Sequence, residues 1–194
     1  MGSNENHGLT PEDLKNLEVA IQGALELNAR EARKGDVKNF IAFQWPGLVL
    51  DDFQWDVINH VFHPAHREVF IKGCTKPGKG FSVAVAINIW FDVFPKSKII
   101  LTGPSAEHVT NNLFAEVVAV RKMMKYPALA EILTTTIRSG LNNENPTHYV
   151  RIANPKSGEG FSGQHSTHTL FVFDEASSAE DWMYDNCKKQ SRID

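Results

Sequence analysis

The chain has 194 residues, 42% of them hydrophobic and 22% charged, with 13 Gly and 9 Pro. That composition suits one globular domain of common size and excludes a disordered, collagen-like or repeat chain. Twenty Lys+Arg against 23 Asp+Glu leave a net charge of −3, so no global positive field marks a nucleic-acid or anionic-membrane binder, and any contact with DNA has to be local. No apolar run approaches the ~18 residues that span a bilayer, and the N-terminus lacks the layout of a signal peptide. Two cysteines, Cys74 and Cys187, are too few for a disulfide scaffold and point to a reducing compartment.

In chain order, Thr10 followed by Pro11, Glu12 and Asp13 reads as an N-cap, a first-turn proline and first-turn acids. Leu14, Leu17, Ile21, Leu25 and Ala29 then recur at helical spacing until Gly35 supplies a stop. Pro46-Gly47 marks a turn, and Asp51 or Asp52 caps a short helix carrying Phe53, Val57, Ile58, Val61 and Phe62 before Pro64. Glu68–Lys72 is an apolar run of strand length that leads into the loop Gly73–Gly80, and an apolar helix with Val83, Ala84, Ile87, Trp90 and Phe91 follows.

The pattern repeats with Lys98–Thr102 as strand, Gly103-Pro104 as turn and a helix over 105–125, on which Val109, Leu113, Val117 and Val120 share a face. Residues 134–153 form two short strands around the loop Asn142–Pro146, Thr169–Phe173 is a strand ending in Asp174-Glu175, and a last helix runs from Ala179 to Lys189. This alternation predicts an α/β fold with a mostly parallel sheet, helices on both faces and ligands at the carboxyl ends of the strands. Residues 1–50 read as an N-terminal helical extension and 51–194 as the sheet-bearing domain.

Two motifs carry chemistry. The loop Gly73-Cys74-Thr75-Lys76-Pro77-Gly78-Lys79-Gly80 has the G-x-x-x-x-G-K spacing of a phosphate-binding loop in the strand-to-helix context that such a loop needs. Its glycines let backbone N–H groups wrap phosphates, the helix N-terminus adds positive potential, and Lys79 reaches the β- and γ-phosphates. Gly80 stands where a Ser or Thr hydroxyl would meet Mg2+, and Ser82 is rotated about 200° away on a helix.

The second motif lies about 95 residues downstream of Lys79, where the strand Leu170–Phe173 delivers Asp174 and Glu175 at its carboxyl end. The first acid suits a metal-holding role and the second can orient or deprotonate an attacking water. An amide upstream of the loop, Gln54 between Phe53 and Trp55, can read both donor and acceptor on an adenine edge, with an aromatic neighbour covering the base.

The series Phe53-Gln54, Phe70-Ile-Lys-Gly to Gly78-Lys79, Ile99 to Ser105, Gly158 to His165 and Leu170 to Ser177 resembles the ATPase domain of the large terminase subunit, the DNA-packaging motor of tailed bacteriophages. The resemblance spans most of residues 50–190, and the glycine-rich Gly158–Gly163 stretch discriminates it best from general helicases. It implies a P-loop NTPase sheet of the RecA-like (ASCE) type and an enzyme that hydrolyses ATP with Mg2+. Gln54 matches the adenine-binding glutamine, Lys79 the phosphate-loop lysine, Asp174 the metal-holding acid and Glu175 the catalytic glutamate. Gly73, Thr75, Lys76, Pro77, Gly78 and Gly80 complete the nucleotide-binding loop, with Thr75 where many relatives have an arginine and Lys76 beside it.

The same resemblance implies double-stranded DNA, a portal protein and a small terminase subunit as partners, a homo-oligomeric ring, and action in the host cytoplasm with no membrane attachment. It also implies a coupling motif and a nuclease domain beyond residue 194, so the chain reads as an incomplete ATPase domain without nuclease activity. Two alternatives stay open: a helicase-like P-loop ATPase, and a degenerate nucleotide-binding scaffold without turnover.

Other features read more blandly. His60, His63 and His66 are interrupted by Pro64 and lack a Cys or acid to complete a zinc set. His165 and His168 belong to a solvated loop, and Cys74 has no base partner. Arg121, Lys122 and Lys125, like Lys188, Lys189 and Arg192, read as cations at helix C-termini favoured by the macrodipole. Trp45, Trp55, Trp90 and Trp182 read as core or interface, with Trp55 the best candidate for stacking on a base.

Overall fold

Thr10 opens helix α1, Pro11–Arg33, through a reciprocal cap: its hydroxyl accepts from Asp13 N at 3.1 Å while the Asp13 carboxylate accepts from Thr10 N at 2.9 Å. Helix α2, Lys38–Gln44, and helix α3, Asp52–Phe62, follow. The computed structural model describes residues 10–72, 78–140, 147–154 and 166–190. The sequence-predicted loops at 73–77, 142–146 and 158–165 lie outside them.

Helix α4, Lys79–Val93, is buried almost all round, with Ala84, Val85, Ala86, Ile87, Ile89, Phe91 and Val93 inside, as expected of a helix enclosed by other elements. The chain then forms β1, Lys98–Thr102, and one long helical segment in three parts. These are α5, Ala106–Val109, a π-helical turn, Thr110–Phe114, and α6, Ala115–Lys122. Thr110 and Asn112 side chains donate to the carbonyls of Ala106 and His108 at 2.7 and 3.0 Å, serving acceptors in the first turn of the segment.

Strands β2, Ala130–Ile132, β3, Thr136–Ser139, β4, Tyr149–Ile152, and β5, Thr169–Phe173, complete one five-stranded sheet in the order β2-β3-β4-β1-β5. The central strand β1 runs parallel to β4 and β5, pairing Ile99 with Val150 and with Leu170. The β2–β3 and β3–β4 pairs are antiparallel, so the sheet is mixed rather than mostly parallel. Connection length explains the correction. Residues 133–135 permit only a hairpin return, and residues 140–148 fall short of the dozen or so that a parallel crossover needs.

Side chains alternate across β1. Ile99 and Leu101 join the main core built with α1, α2, α3, α4 and α6, whereas Ile100 joins Tyr149, Phe171, Phe173 and Met183 on the other face, beneath helix α7, Asp181–Gln190. Helices thus flank both faces. The main core runs without interruption from Ala29, Phe40 and Trp45 into Ile58, Ile87 and Leu101. No helix among the described residues is long and apolar enough to cross a membrane.

Two further expectations change. Glu68–Lys72 lies outside the sheet, with Phe70 76% exposed. An apolar run becomes a strand only where an adjacent edge satisfies its N–H and C=O groups, and no described strand is paired with it. Residues 68–72 instead line an open groove of about 360 Å3 with Phe53, Val57 and His60.

Arg121, read as a helix-end cation, does lie in the last turn of α6 but is buried there, 4% exposed and ion-paired with Asp92 at 3.0 Å. Arg121 also donates to Ala128 O at 2.6 Å and lies over the Phe91 ring at 4.7 Å. Its neighbour Asn88 donates to Ala84 O at 2.9 Å and Val117 O at 3.0 Å, pinning α4 to α6.

Removing one partner of a buried pair leaves the other charge uncompensated. Arg121→Ala is expected to cost about 3–5 kcal/mol in urea unfolding. The double replacement Arg121→Met with Asp92→Leu is expected to recover most of that loss, because an apolar pair of similar volume replaces the buried ions.

Candidate functional site

Gly78 caps α4 with φ +117° and ψ −14°, a left-handed conformation that glycine enters without steric cost. Lys79 and Gly80 form the first turn of the helix, so they sit where its unpaired N–H groups and positive dipole end gather. Gly73, Thr75, Lys76 and Pro77, with Cys74, lie outside the described residues. Ser82 is buried and bonds back onto the start of its own helix. Its hydroxyl donates to Gly78 O at 2.9 Å and Lys79 O at 3.0 Å.

Gln54 arrives at the same place from α3. A Cβ at position 78 would stand 2.8 Å from Gln54 Nε2, so the bare glycine lets the amide lie against the loop end. The amide is oriented by the α3 cap: Gln54 Oε1 accepts from Asp51 N at 3.0 Å and Asp51 Oδ1 accepts from Gln54 N at 2.8 Å. The oxygen is therefore partly committed to the helix, and the nitrogen is the end that faces Gly78. Trp55 packs on the main core, and Phe53 lines the groove beside residues 68–72.

The acid turn is fixed by the sheet. Asp174 N donates to Thr102 O at 2.8 Å, extending the β1–β5 ladder by one residue and placing Asp174 at the carboxyl ends of two parallel strands. Gly103 makes that approach possible, since a Cβ there would meet Val109 Cγ2 at 2.8 Å and Asp174 O at 3.1 Å.

Glu175 adopts φ 51°, ψ 51° and leads into a 3-10 turn over Ala176–Ser178. A left-handed non-glycine residue is uncommon and is retained where surrounding contacts hold it. Here Tyr184 on α7 holds it, donating its hydroxyl to Ala176 O at 2.6 Å while stacking on Phe173 at 4.7 Å.

Two residues that sequence reasoning missed stand at this end of the sheet. His108 Nε2 lies 3.3 Å from Asp174 Oδ2 and 3.6 Å from Glu175 Oε1. Ser105 positions it by accepting from His108 N at 3.0 Å, and Asn112 Nδ2 stands 3.2 Å from its Nδ1.

Glu116, half-buried on α6, occupies the space where a side chain at position 80 would go: a Cβ on Gly80 would run into its Oε2. Burial first, and then the charge of Asp174, pushes its carboxyl above the usual range. Neither residue carries a motif. The available signal was topological, since the helix that follows β1 starts at the carboxyl end of the sheet, where ligands bind in α/β folds.

Among the described residues no group of three or more His, Cys, Asp or Glu is arranged to hold a metal ion unaided. Mg2+ is commonly held by only one or two carboxylates together with substrate phosphates and water, so the hard oxygens of Asp174 and Glu116 fit such an ion. His66 stacks on His60 at 5.1 Å and on His63 at 4.2 Å. Cys187 is inert by contrast with a reactive thiol, because burial pushes it up to about 12. Lys188 pairs with Glu68 at 3.5 Å, and Arg192 lies outside the described residues.

No protein-family model matches the chain, and no curated protein matches it either.

Gly103→Ala tests the close approach at the end of β1. Overpacking against Val109 and the Asp174 carbonyl is expected to cost about 1–3 kcal/mol, read as a fall in thermal midpoint. Adding Val109→Ala should restore only part of it, because the clash with the Asp174 backbone persists.

Proposed function

We propose that the chain is the ATP-hydrolysing domain of a viral DNA-packaging motor, of the large terminase subunit type. The observation that carries this reading is the convergence of two motifs about 95 residues apart in sequence. Gly78-Lys79-Gly80 begins α4, Asp174-Glu175 ends β5, and Glu116 bridges them by filling the Gly80 space while feeling the Asp174 charge. Gln54 against Gly78 adds a third element of the same resemblance.

In this reading the α4 N-terminus and Lys79 bind the β- and γ-phosphates of ATP. Asp174 would hold Mg2+, whose charge, when the ion is bound, would offset that developing on the transferring phosphoryl group. Glu175, more exposed than Asp174 at 58% against 31% of its side chain, orients the attacking water and accepts its proton. Gln54 binds the adenine edge through its amide nitrogen. Double-stranded DNA, a portal protein, a small terminase subunit and a ring of like subunits are the partners that belong to this reading, and the host cytoplasm is its setting.

Gly80 in place of a hydroxyl favours a second reading, a scaffold that binds nucleotide without turnover. One experiment separates the two. Under the motor reading, the chain hydrolyses ATP in the presence of Mg2+, Lys79→Ala abolishes turnover, and Glu175→Gln keeps nucleotide binding while lowering kcat about 100-fold or more. Nucleotide binding without turnover in the unmodified chain would establish the scaffold instead, and binding unaffected by Lys79→Ala would remove the phosphate-loop assignment altogether.

A further inference from the structure

We propose that Glu116 replaces the missing phosphate-loop hydroxyl, its carboxylate on α6 supplying the divalent cation with the oxygen that residue 80 lacks. The inference rests on the nucleotide-site reading above and deepens it. Its geometric basis is the space at Gly80. A side chain there would collide with Glu116 Oε2, and the colliding atom is a carboxylate oxygen rather than a methyl group. A glycine merely tolerated in a βα turn would leave that volume to solvent or to apolar packing. Here the space at the first turn of α4 receives a hard anionic oxygen, the donor type that Mg2+ selects.

The second support is placement relative to Asp174. Burial first and then the charge of Asp174 act on Glu116, although the two carboxylates come from separate elements. Bringing two like charges together in a half-buried place is unfavourable in isolation. A cation between them reverses the sign of that interaction. Two carboxylates with phosphate oxygens and water meet the usual octahedral demand of Mg2+.

A hydroxyl restored at position 80 would offer the same kind of oxygen donor as the Glu116 carboxylate, which gives the proposal a test that truncation alone would not.

The experiment measures binding of adenylyl-imidodiphosphate to the full chain by calorimetry, with Mn2+ and with EDTA, and records the electron paramagnetic resonance of bound Mn2+. The metal-dependent part of nucleotide affinity is expected to fall by about tenfold or more in the isosteric variant Glu116→Gln. Affinity in EDTA should not fall, and the bound-Mn2+ signal should weaken in parallel. Gly80→Ser with Glu116→Ala should regain metal-dependent binding relative to Glu116→Ala alone.

A Glu116→Gln variant that binds Mn2+ and nucleotide as the unmodified chain does would overturn the proposal, as would a double variant no better than Glu116→Ala. Failure of the unmodified chain to bind the nucleotide with or without Mn2+ would sink the nucleotide-site reading itself, an outcome distinct from the other two.

Discussion

The burial of α4 on nearly every side is the constraint from which the rest of the architecture follows. A helix that packs at once on α1, α3, α6 and β1 has no freedom to slide, so its N-terminus is held at a fixed place over the sheet. The polar residues inside this packing serve the same end. Asn88 bonds to carbonyls of both α4 and α6, and Arg121 ties α6 to Asp92 near the end of α4. Arg33 reaches from α1 to Val93 O at 2.9 Å and secures the far end of the same helix. These contacts lie at a distance from the candidate site, yet they set the relation of Gly78–Gly80 to the strands.

Acidic groups gather at the carboxyl end of the sheet. Glu116, Asp174 and Glu175 bring three acidic groups to one end of the sheet, and His108 stands against two of them. The fold concentrates negative charge beside the positive end of a helix dipole and Lys79. The backbone is constrained at Glu175, whose left-handed conformation is held by the Tyr184 hydroxyl on the next residue's carbonyl.

Much of this was legible in the sequence, for local reasons. The Thr10 and Asp51 caps, the apolar face of α3, and the strands at 98–102 and 169–173 follow from short-range periodicity and capping chemistry, and Gln54, Gly78, Lys79, Asp174 and Glu175 stand in recognisable spacings. Illegible features depend on partners distant in sequence. The run 68–72 has strand composition but no paired edge among the described residues, and Arg121 reads only as a helix-end cation until Asp92 and Phe91 close around it. His108 and Glu116 carry no motif, because their roles arise only when the helix after β1 lies across the sheet end. The mixed sheet was available from connection lengths, which exclude parallel crossovers at 133–135 and 140–148.

The π-helical turn at Thr110–Phe114 controls an angular phase. His108 and Glu116 are eight positions apart, which in an uninterrupted α-helix places them about 80° apart around the axis. A π turn, with its wider i to i+5 closure, winds each residue through a smaller angle and takes up roughly one residue of that offset. His108, before the turn, stands against Asp174, and Glu116, after it, feels the Asp174 charge. The irregularity works as a vernier between two otherwise regular helical pieces. Its length in residues, more than the identity of any one of them, sets whether the acid turn and the glycine-loop helix share a common neighbour.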